Sequence, residues 1–554
     1  MISKHLANER TKIALIISLL LLLVLSVFIP GPQRVTLFSG DVAFFFDTVN
    51  RIQEGYQMYV DYNHSYGPFS FLLLLTGFQV HGFSMEAFTI ARALATLILC
   101  SLAIIVTWKR FHPLFTIVIV FLSWALINTP TPLGYDINEQ FTIAFWYNNL
   151  GFVISGILLL QIGSRKFKSR FSYEAIVEGI LLALLFTNKF QFMIFMALPY
   201  AVITFRDLRK REAIKYFIIA FIAFLIVTVF QFPLANTSVL EYIGQIHRTV
   251  SGTDYASISS SEGEAFPLLR LFFFRYFIIN NYYVLYALAA IALMHIVTET
   301  KLFSFQTLFV GSAFISLLFI KLSCNFHKFV LEVPFLELMA LLYIANRAFD
   351  FKKSLVHAFL VAMIVFPSMF YIKDMLMSNR YMAREEIRLD FQFPPLEDFN
   401  QAESHSIEGR NCPPLLDQIE ELGYSRFVCD GLSLLENIED QYKTLFVCHT
   451  NDPITMHTDF KYAKGTFTWY TLREANIREH CCDEKYIVQS DLIMLARYKP
   501  YAEEMAEFIR SFDPDIYWRS YENENWILLE RIPQRERTKA TTEENNETKN
   551  EHSL

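Results

Sequence analysis

The chain has 554 residues, of which 53% are hydrophobic and 55 are phenylalanine, and its mean hydropathy is +0.31. Soluble domains hold about 45–50% apolar residues even with glycine counted, so this composition excludes an ordinary soluble enzyme. The net charge of −7 lies mostly outside the apolar stretches and excludes nucleic acid as a partner.

The chain opens with MISKHLANERTK followed by an apolar run to Pro30. The run is longer than a signal-peptide core and no small-x-small cleavage site follows it, so it reads as an uncleaved first transmembrane helix. Lys4, Arg10 and Lys12 hold the N-terminus in the cytoplasm by the positive-inside rule. Spanning-length segments are expected at 13–30, 86–108, 113–129, 141–162, 175–188, 190–205, 214–233, 271–297, 302–320, 329–346 and 354–372.

Two of these choices decide the topology. Residues 68–82 form an apolar run of 15 residues, short of the roughly 20 needed to cross, and are expected as a re-entrant or interfacial helix. Residues 175–205 are too long for one span and are expected to break at Thr187-Asn188-Lys189. The basic loops 109–112, 164–170, 206–215 and 347–353 then share the side of the N-terminus. With eleven spans, residues 31–66, 234–270 and everything beyond about 372 lie outside the cytoplasm. The carboxylates are then expected outside the spans rather than within them.

Residues 1–372 thus form a transmembrane domain whose first external loop, 31–82, carries Asp41, Asp47, Asp61 and His64 ahead of Tyr66-Gly67-Pro68. An aspartate beside a membrane face is commonly a solvated loop residue. The length and aromatic content of this segment, and the short apolar helix after it, favour a functional role. Asp47 lies six residues after Asp41, about 240° round a helix and so not on the same face. Loop 234–270, with Ser-Ile-Ser-Ser-Ser and Glu262-Gly263-Glu264, reads as a flexible connector or a lid.

From 373 to 533 helix-like and strand-like pieces alternate, giving a small extracytoplasmic α/β domain. PPLLDQIEELGY reads as a helix, SRFVCDGL, KTLFVCH and DLIMLARY as strands, YAEEMAEFIRSF as a helix, and YWRSYENENWILLERI as a closing hairpin. Five of the seven cysteines, Cys412, Cys429, Cys448, Cys481 and Cys482, fall here. Their spacing suits no metal site, and disulfides are permitted outside the cytoplasm. Residues 534–554 are polar and read as disordered.

The order Gly40-Asp41, then Glu54-Gly55 with Tyr59 and Asp61, then Tyr66-Gly67-Pro68 opening a short apolar helix, then Gly82-Phe83-Ser84 and Arg92 in the next span, resembles the GT-C superfamily of membrane glycosyltransferases. That superfamily includes protein mannosyltransferases and the aminoarabinose transferase of lipid A. The resemblance is clearest over residues 13–205. It implies a polytopic α-helical membrane protein, placed in a bacterial inner (plasma) membrane. Its implied reaction moves a sugar from a polyprenyl-phosphate carrier to an extracytoplasmic glycan, lipid or protein acceptor.

By the same resemblance Asp41 is the carboxylate that accepts or orients the acceptor hydroxyl's proton, with Asp47, Asp61, His64, Tyr66 and Asn148 as substrate-binding positions. The leaving lipid phosphate needs cations at membrane depth, for which Arg92, Lys189, Lys321, His327 and Lys328 are the candidates. Many relatives carry two adjacent acids in the first loop, whereas Asp41 is flanked by Gly40 and Val42, so no metal or other cofactor is expected. A transporter or flippase of a lipid or polar solute, a glycan polymerase or ligase, and an inactive scaffold of the same fold are the competing readings.

Overall fold

In this computed structural model the described residues are 2–29, 39–128, 146–165, 173–251, 422–467 and 484–532, with short breaks inside these ranges, and isolated positions between 308 and 316. Contacts divide the chain into two compact units, Met1–Leu37 with Ser65–Leu389, and Phe38–His64 with Asp390–Leu554.

The first unit is helical. It contains α1 (Ile2–Ser26), α3 (Phe69–His81), α4 (Met85–Thr107), α5 (Pro113–Asn128) and α6 (Trp146–Gly163), followed by α7 (Tyr173–Asn188), α8 (Phe190–Asp207), α9 (Arg211–Leu234) and α10 (Val239–Ser251). Among the described residues two helices, Met85–Thr107 and Glu212–Leu234, are long and apolar enough to cross a bilayer. The 16 residues of α5 and of α7 reach only about 24 Å, short of a ~30 Å hydrocarbon core. Eleven full-length spans are therefore not what the described residues provide. The segments expected at 271–297, 329–346 and 354–372, and nearly all of 302–320, lie outside them.

The expected break at Thr187-Asn188-Lys189 is present. α7 ends at Asn188, Lys189 is extended at φ −153° and α8 starts at Phe190. α3 is a separate helix of 13 residues, about 20 Å long. α6 is buried along its whole length, its polar Asn148, Asn149, Ser155 and Gln161 included. Gly179 lets α7 and α9 meet closely, because a Cβ there would collide with the Ala220 carbonyl.

Two expectations for this unit need correction. Residues 239–251, read as part of a flexible loop, form α10. Ser238 and Glu241 make a reciprocal cap at its start, with Ser238 N–H donating to Glu241 Oε2 at 2.7 Å and Glu241 N–H to Ser238 Oγ at 3.3 Å. The carboxylates do not all lie outside the apolar helices either. Glu178 sits on α7 with its side chain fully buried, taking a bidentate pair from Arg165 at 2.7 and 3.0 Å. Tyr200 and Tyr216 hydroxyls also donate to it, each at 2.9 Å, and Arg165 reaches Asp207 at 3.4 Å. A buried ion pair survives only when its remaining lone pairs are satisfied in this way.

This network ties the end of α6, the start of α7, the end of α8 and the start of α9. Arg110, after α4, joins the same end through Glu174 at 3.5 Å and Ser164 Oγ at 2.9 Å. Arg110, Arg165 and Arg206, from the basic loops 109–112, 164–170 and 206–215, therefore gather at one end of this helix set.

The second unit carries α2 (Ser39–Gln53), β1 (Tyr62–Asn63) and α11 (Leu422–Leu435), then β2 (Thr444–Cys448), a 3-10 turn (Thr455–His457), β3 (Lys461–Tyr462) and β4 (Thr466–Phe467). It closes with α12 (Glu484–Gln489), β5 (Leu492–Ala496), α13 (Ala502–Phe512), β6 (Tyr517–Glu522) and β7 (Trp526–Ile532). The main sheet has the order β3-β2-β5-β7-β6. β2 is parallel to β3 and β5, and β7 is antiparallel to β5 and β6.

Alternation along the strands feeds two cores, as a sheet covered on both faces requires. Phe446, Ile493 and Leu529 pack with Met505 and Ile509 of α13. Leu445, Met494 and Leu528 pack with Phe427 and Val428 of α11. The expected strands 444–448 and 492–496, the helix 502–512 and the closing hairpin are all present. SRFVCDGL is a helix instead of a strand, because Phe427 and Val428 recur as Leu434 and Leu435 two turns further on, on the same face, and all four are buried. Cys429 is disulfide-bonded and Cys448 is a buried thiol; Cys412, Cys481 and Cys482 lie outside the described residues.

Candidate functional site

Within the first unit, three short sequence segments converge at the end of the helix set opposite Arg110, Arg165 and Arg206. The first is Tyr66-Gly67-Pro68, whose Gly67 N–H donates to the Asn188 carbonyl at 3.1 Å. A Cβ at Gly67 would collide with the Thr187 carbonyl, so glycine is what lets this strand of backbone lie on the α7–α8 turn. The second is the start of α6, where the Tyr147 hydroxyl donates to the Tyr66 hydroxyl at 3.0 Å and the Tyr147 carbonyl accepts from Asn188 Nδ2 at 2.7 Å. The third is the turn itself, which supplies Lys189.

Lys189 is buried, with 7% of its surface exposed. It donates to Asn148 Oδ1 at 3.1 Å and sits 5.3 and 5.2 Å from the ring centres of Tyr66 and Tyr147. Ring faces and an amide oxygen are favourable neighbours for a cation. The cluster therefore presents a positioned positive charge among hydroxyls and amides, a chemistry suited to an anionic oxygen. α10 reaches the end of α7 just before the turn, with the Tyr242 hydroxyl donating to the Phe186 carbonyl at 3.2 Å.

Arg92, the other described basic candidate, is placed differently. Its guanidinium donates to the Asn128 carbonyl at 2.8 Å and to Asn128 Oδ1 at 3.3 Å. It thus satisfies the C-terminal end of α5, as basic side chains at helix ends do. Lys321, His327 and Lys328 lie outside the described residues.

The acids of the first loop belong to the second unit. Asp41 lies on α2, and its side chain is outside what is described. Asp47 is fully buried and paired with Arg51 at 2.9 Å. Arg51 also reaches Asp452 at 3.5 Å, donates to Thr466 Oγ1 at 3.1 Å and lies 3.8 Å from the Tyr462 ring centre. Burial, with the Asp452 charge adding to it, pushes the Asp47 carboxyl up to about 7 against the pull of Arg51.

Asp61 accepts from Gln57 N–H at 2.9 Å and pairs with Lys464 at 2.8 Å. These bonds, the first of them outweighing its partial burial together with Lys464, hold its carboxyl below the usual range. His64 is buried and stacked on Phe44, with ring centres 5.0 Å apart. β1 runs parallel to β4, so Tyr62 pairs with Thr466.

The candidates therefore fall into two groups. Tyr66, Asn148 and Lys189 form one cluster; Asp47, Asp61 and His64 are set into the fold of the other unit. Arg51, Asp452 and Tyr462 escaped sequence reading. Arg51 had one visible signal, its i,i+4 spacing from Asp47. Among the described residues no three His, Cys, Asp or Glu side chains gather as a metal-holding group.

No family model matches the chain, and no curated protein matches it. Among solved structures it is similar to ArnT from Cupriavidus metallidurans bound to undecaprenyl phosphate, at 9% identity and a TM-score of 0.45, covering 95% of this chain and 98% of that one. It is also similar to the same protein in the apo state, at 10% identity and a TM-score of 0.39, covering 94% and 98%. The Archaeoglobus fulgidus oligosaccharyltransferase, in complex with zinc and sulfate, matches at 12% identity and a TM-score of 0.38, covering 94% and 74%. Likeness this loose adds nothing to what the residues themselves say.

Proposed function

We propose that the chain is a polytopic membrane glycosyltransferase that moves a sugar from a polyprenyl-phosphate carrier to an extracytoplasmic acceptor. The observation that carries this reading is the cluster of Tyr66, Tyr147, Asn148 and Lys189, in which three segments singled out separately in the sequence come together around one buried cation.

In this reading the acceptor hydroxyl attacks the anomeric carbon and its proton passes to the Asp41 carboxylate. The bond from that carbon to the phosphate oxygen breaks, and the phosphate leaves with the electron pair and an added negative charge. Lys189 stabilises that charge, with Tyr66 and Tyr147 as neutral neighbours that keep the ammonium fixed. Membrane lipids and the carrier's polyprenyl chain are the partners the apolar helices would meet.

The test is to express Asp41→Asn and Lys189→Met in a strain deleted for this chain and read surface glycans by mass spectrometry, with protein levels checked in membranes. Loss of a glycan species in both variants is the expected result. A profile matching that of the unmodified chain would sink the reading, provided the deletion strain itself shows a defect.

One observation favours the transport reading, the Glu178 carboxylate buried on an apolar helix, since charges within spans often mark ion or solute paths. Its four donors are all helix-tying partners, which leaves the glycosyltransferase reading the stronger.

A further inference from the structure

Helix α2 carries two things the proposed reaction treats separately, Asp41 near its start and Arg51 near its end. Ten residues of helix place them about 15 Å apart along the axis. Arg51 is almost wholly buried, so what it binds fixes where the helix lies.

Its partners come from the far end of the chain. Asp452 follows β2, at the carboxyl end of a strand that is parallel to both its neighbours. In open α/β sheets this is where a ligand's charged group is usually received. Here Asp452 uses Oδ1 to accept from Ile454 and Thr455 N–H at 3.1 and 2.9 Å, and turns Oδ2 to Arg51. Tyr462 on β3 takes the guanidinium on its ring face, and its hydroxyl accepts from Asn50 Nδ2 at 3.1 Å. The position a soluble ligand would fill is filled by the chain's own first loop.

We infer that Arg51 is a positioning residue, and that the C-terminal α/β fold serves the reaction by gripping α2 through Arg51 and so fixing where Asp41 stands. This rests on the glycosyltransferase reading and on Asp41 as its carboxylate. It gives the α/β fold a task other than binding sugar. Small displacements of a reacting group cost rate steeply, so the grip bears on turnover as well as on folding.

The experiment uses the full chain in cells and in membranes prepared from them. Arg51→Met, Arg51→Lys and Asp452→Asn are scored for glycan product per molecule of protein in the membrane. Docking of α2 is read separately, in each variant combined with Asp61→Cys and Lys464→Cys, as the yield of crosslinking by a short bismaleimide. These two positions form the ion pair beside β1 and β4.

The expected result is a product loss of about 10- to 100-fold in Arg51→Met and Asp452→Asn, a parallel fall in crosslinking, and partial recovery of both in Arg51→Lys. Product within about twofold of the unmodified chain in Arg51→Met, where Asp41→Asn abolishes it, overturns the inference and leaves the reaction intact. An Asp41→Asn variant of full activity overturns the glycosyltransferase reading first, and this inference with it. Should Arg51→Met fail to accumulate, Asp452→Asn is judged by the same outcomes.

Discussion

Gly67 and Asn188 are bonded backbone to backbone, N–H to carbonyl at 3.1 Å, and this one bond seats the Tyr-Gly-Pro segment on the turn that bears Lys189. The contact is so close that the Thr187 carbonyl leaves no room for a side chain at position 67. Replacing Gly67 by alanine is expected to push the two segments apart, at a cost of about 1–3 kcal/mol. A lower thermal midpoint in detergent, with glycan product reduced beyond what protein level explains, is the expected measurement.

Lys189 and its tyrosines separate charge from shape. Lys189→Met keeps the length of the side chain and removes the cation, and is expected to lower product by about 10- to 100-fold. Tyr147→Phe removes the 3.0 Å hydrogen bond to Tyr66 and keeps the ring face. Its expected cost is about 0.5–1.5 kcal/mol, a loss of roughly 2- to 10-fold in product. Equal losses in the two variants would mean that the hydroxyl pair, rather than the ammonium, is what the site uses.

Arg165 and Glu178 are a matched pair with neither side chain exposed. Arg165→Met leaves a buried carboxylate without its cation and is expected to destabilise the fold by about 3–5 kcal/mol. Arg165→Met combined with Glu178→Gln is expected to regain much of that loss. Denaturant unfolding in detergent of the two single variants and the double variant reads the coupling directly.

Asp47 gives the second unit a pH dependence whose sign follows from its raised carboxyl. Below about pH 4 the group is protonated in both the folded and the unfolded chain. Between about pH 4 and 7 the folded chain keeps the proton and the unfolded chain has released it, so stability falls as pH rises; above 7 it levels off. The charged and titratable groups facing Asp47 are Arg51, Asp452 and Tyr462. Asp47→Asn is expected to flatten this slope, measured as thermal midpoints across pH 4–8. A slope that persists unchanged in Asp47→Asn would assign it to another group.

Features that depend on local chemistry were readable in the chain. Thr187-Asn188-Lys189 interrupts an apolar run and does end a helix; Gly67-Pro68 precedes α3, which begins at Phe69. The hairpin of β6 and β7 closes at the turn its polar residues mark. Errors arose where a short window hides its period. SRFVCDGL alone fits a strand, and only the recurrence at Leu434 and Leu435 reveals α11. Glu178 was masked by the apolar residues around it. What no local reading reaches is the pairing of Arg51 with Asp452 and Tyr462, since nothing near either end of the chain signals the other. Tyr66, Asn148 and Lys189 were each legible, but their meeting required the fold.

The partners of the first loop are separated from it by most of the chain: Asn50 meets Tyr462 across 412 positions and Arg51 meets Thr466 across 415. At a synthesis rate of about 5–20 residues per second, roughly 20–80 seconds pass between the appearance of Arg51 and that of its acceptors. Through that interval the buried-type Arg51 and Asp47 lack the partners that come from the far end of the chain. Biogenesis therefore has a late closing step, and premature termination before residue 452 removes the groups that α2 needs. Such nascent chains should be preferred substrates of quality-control proteases even when every upstream apolar helix has been made.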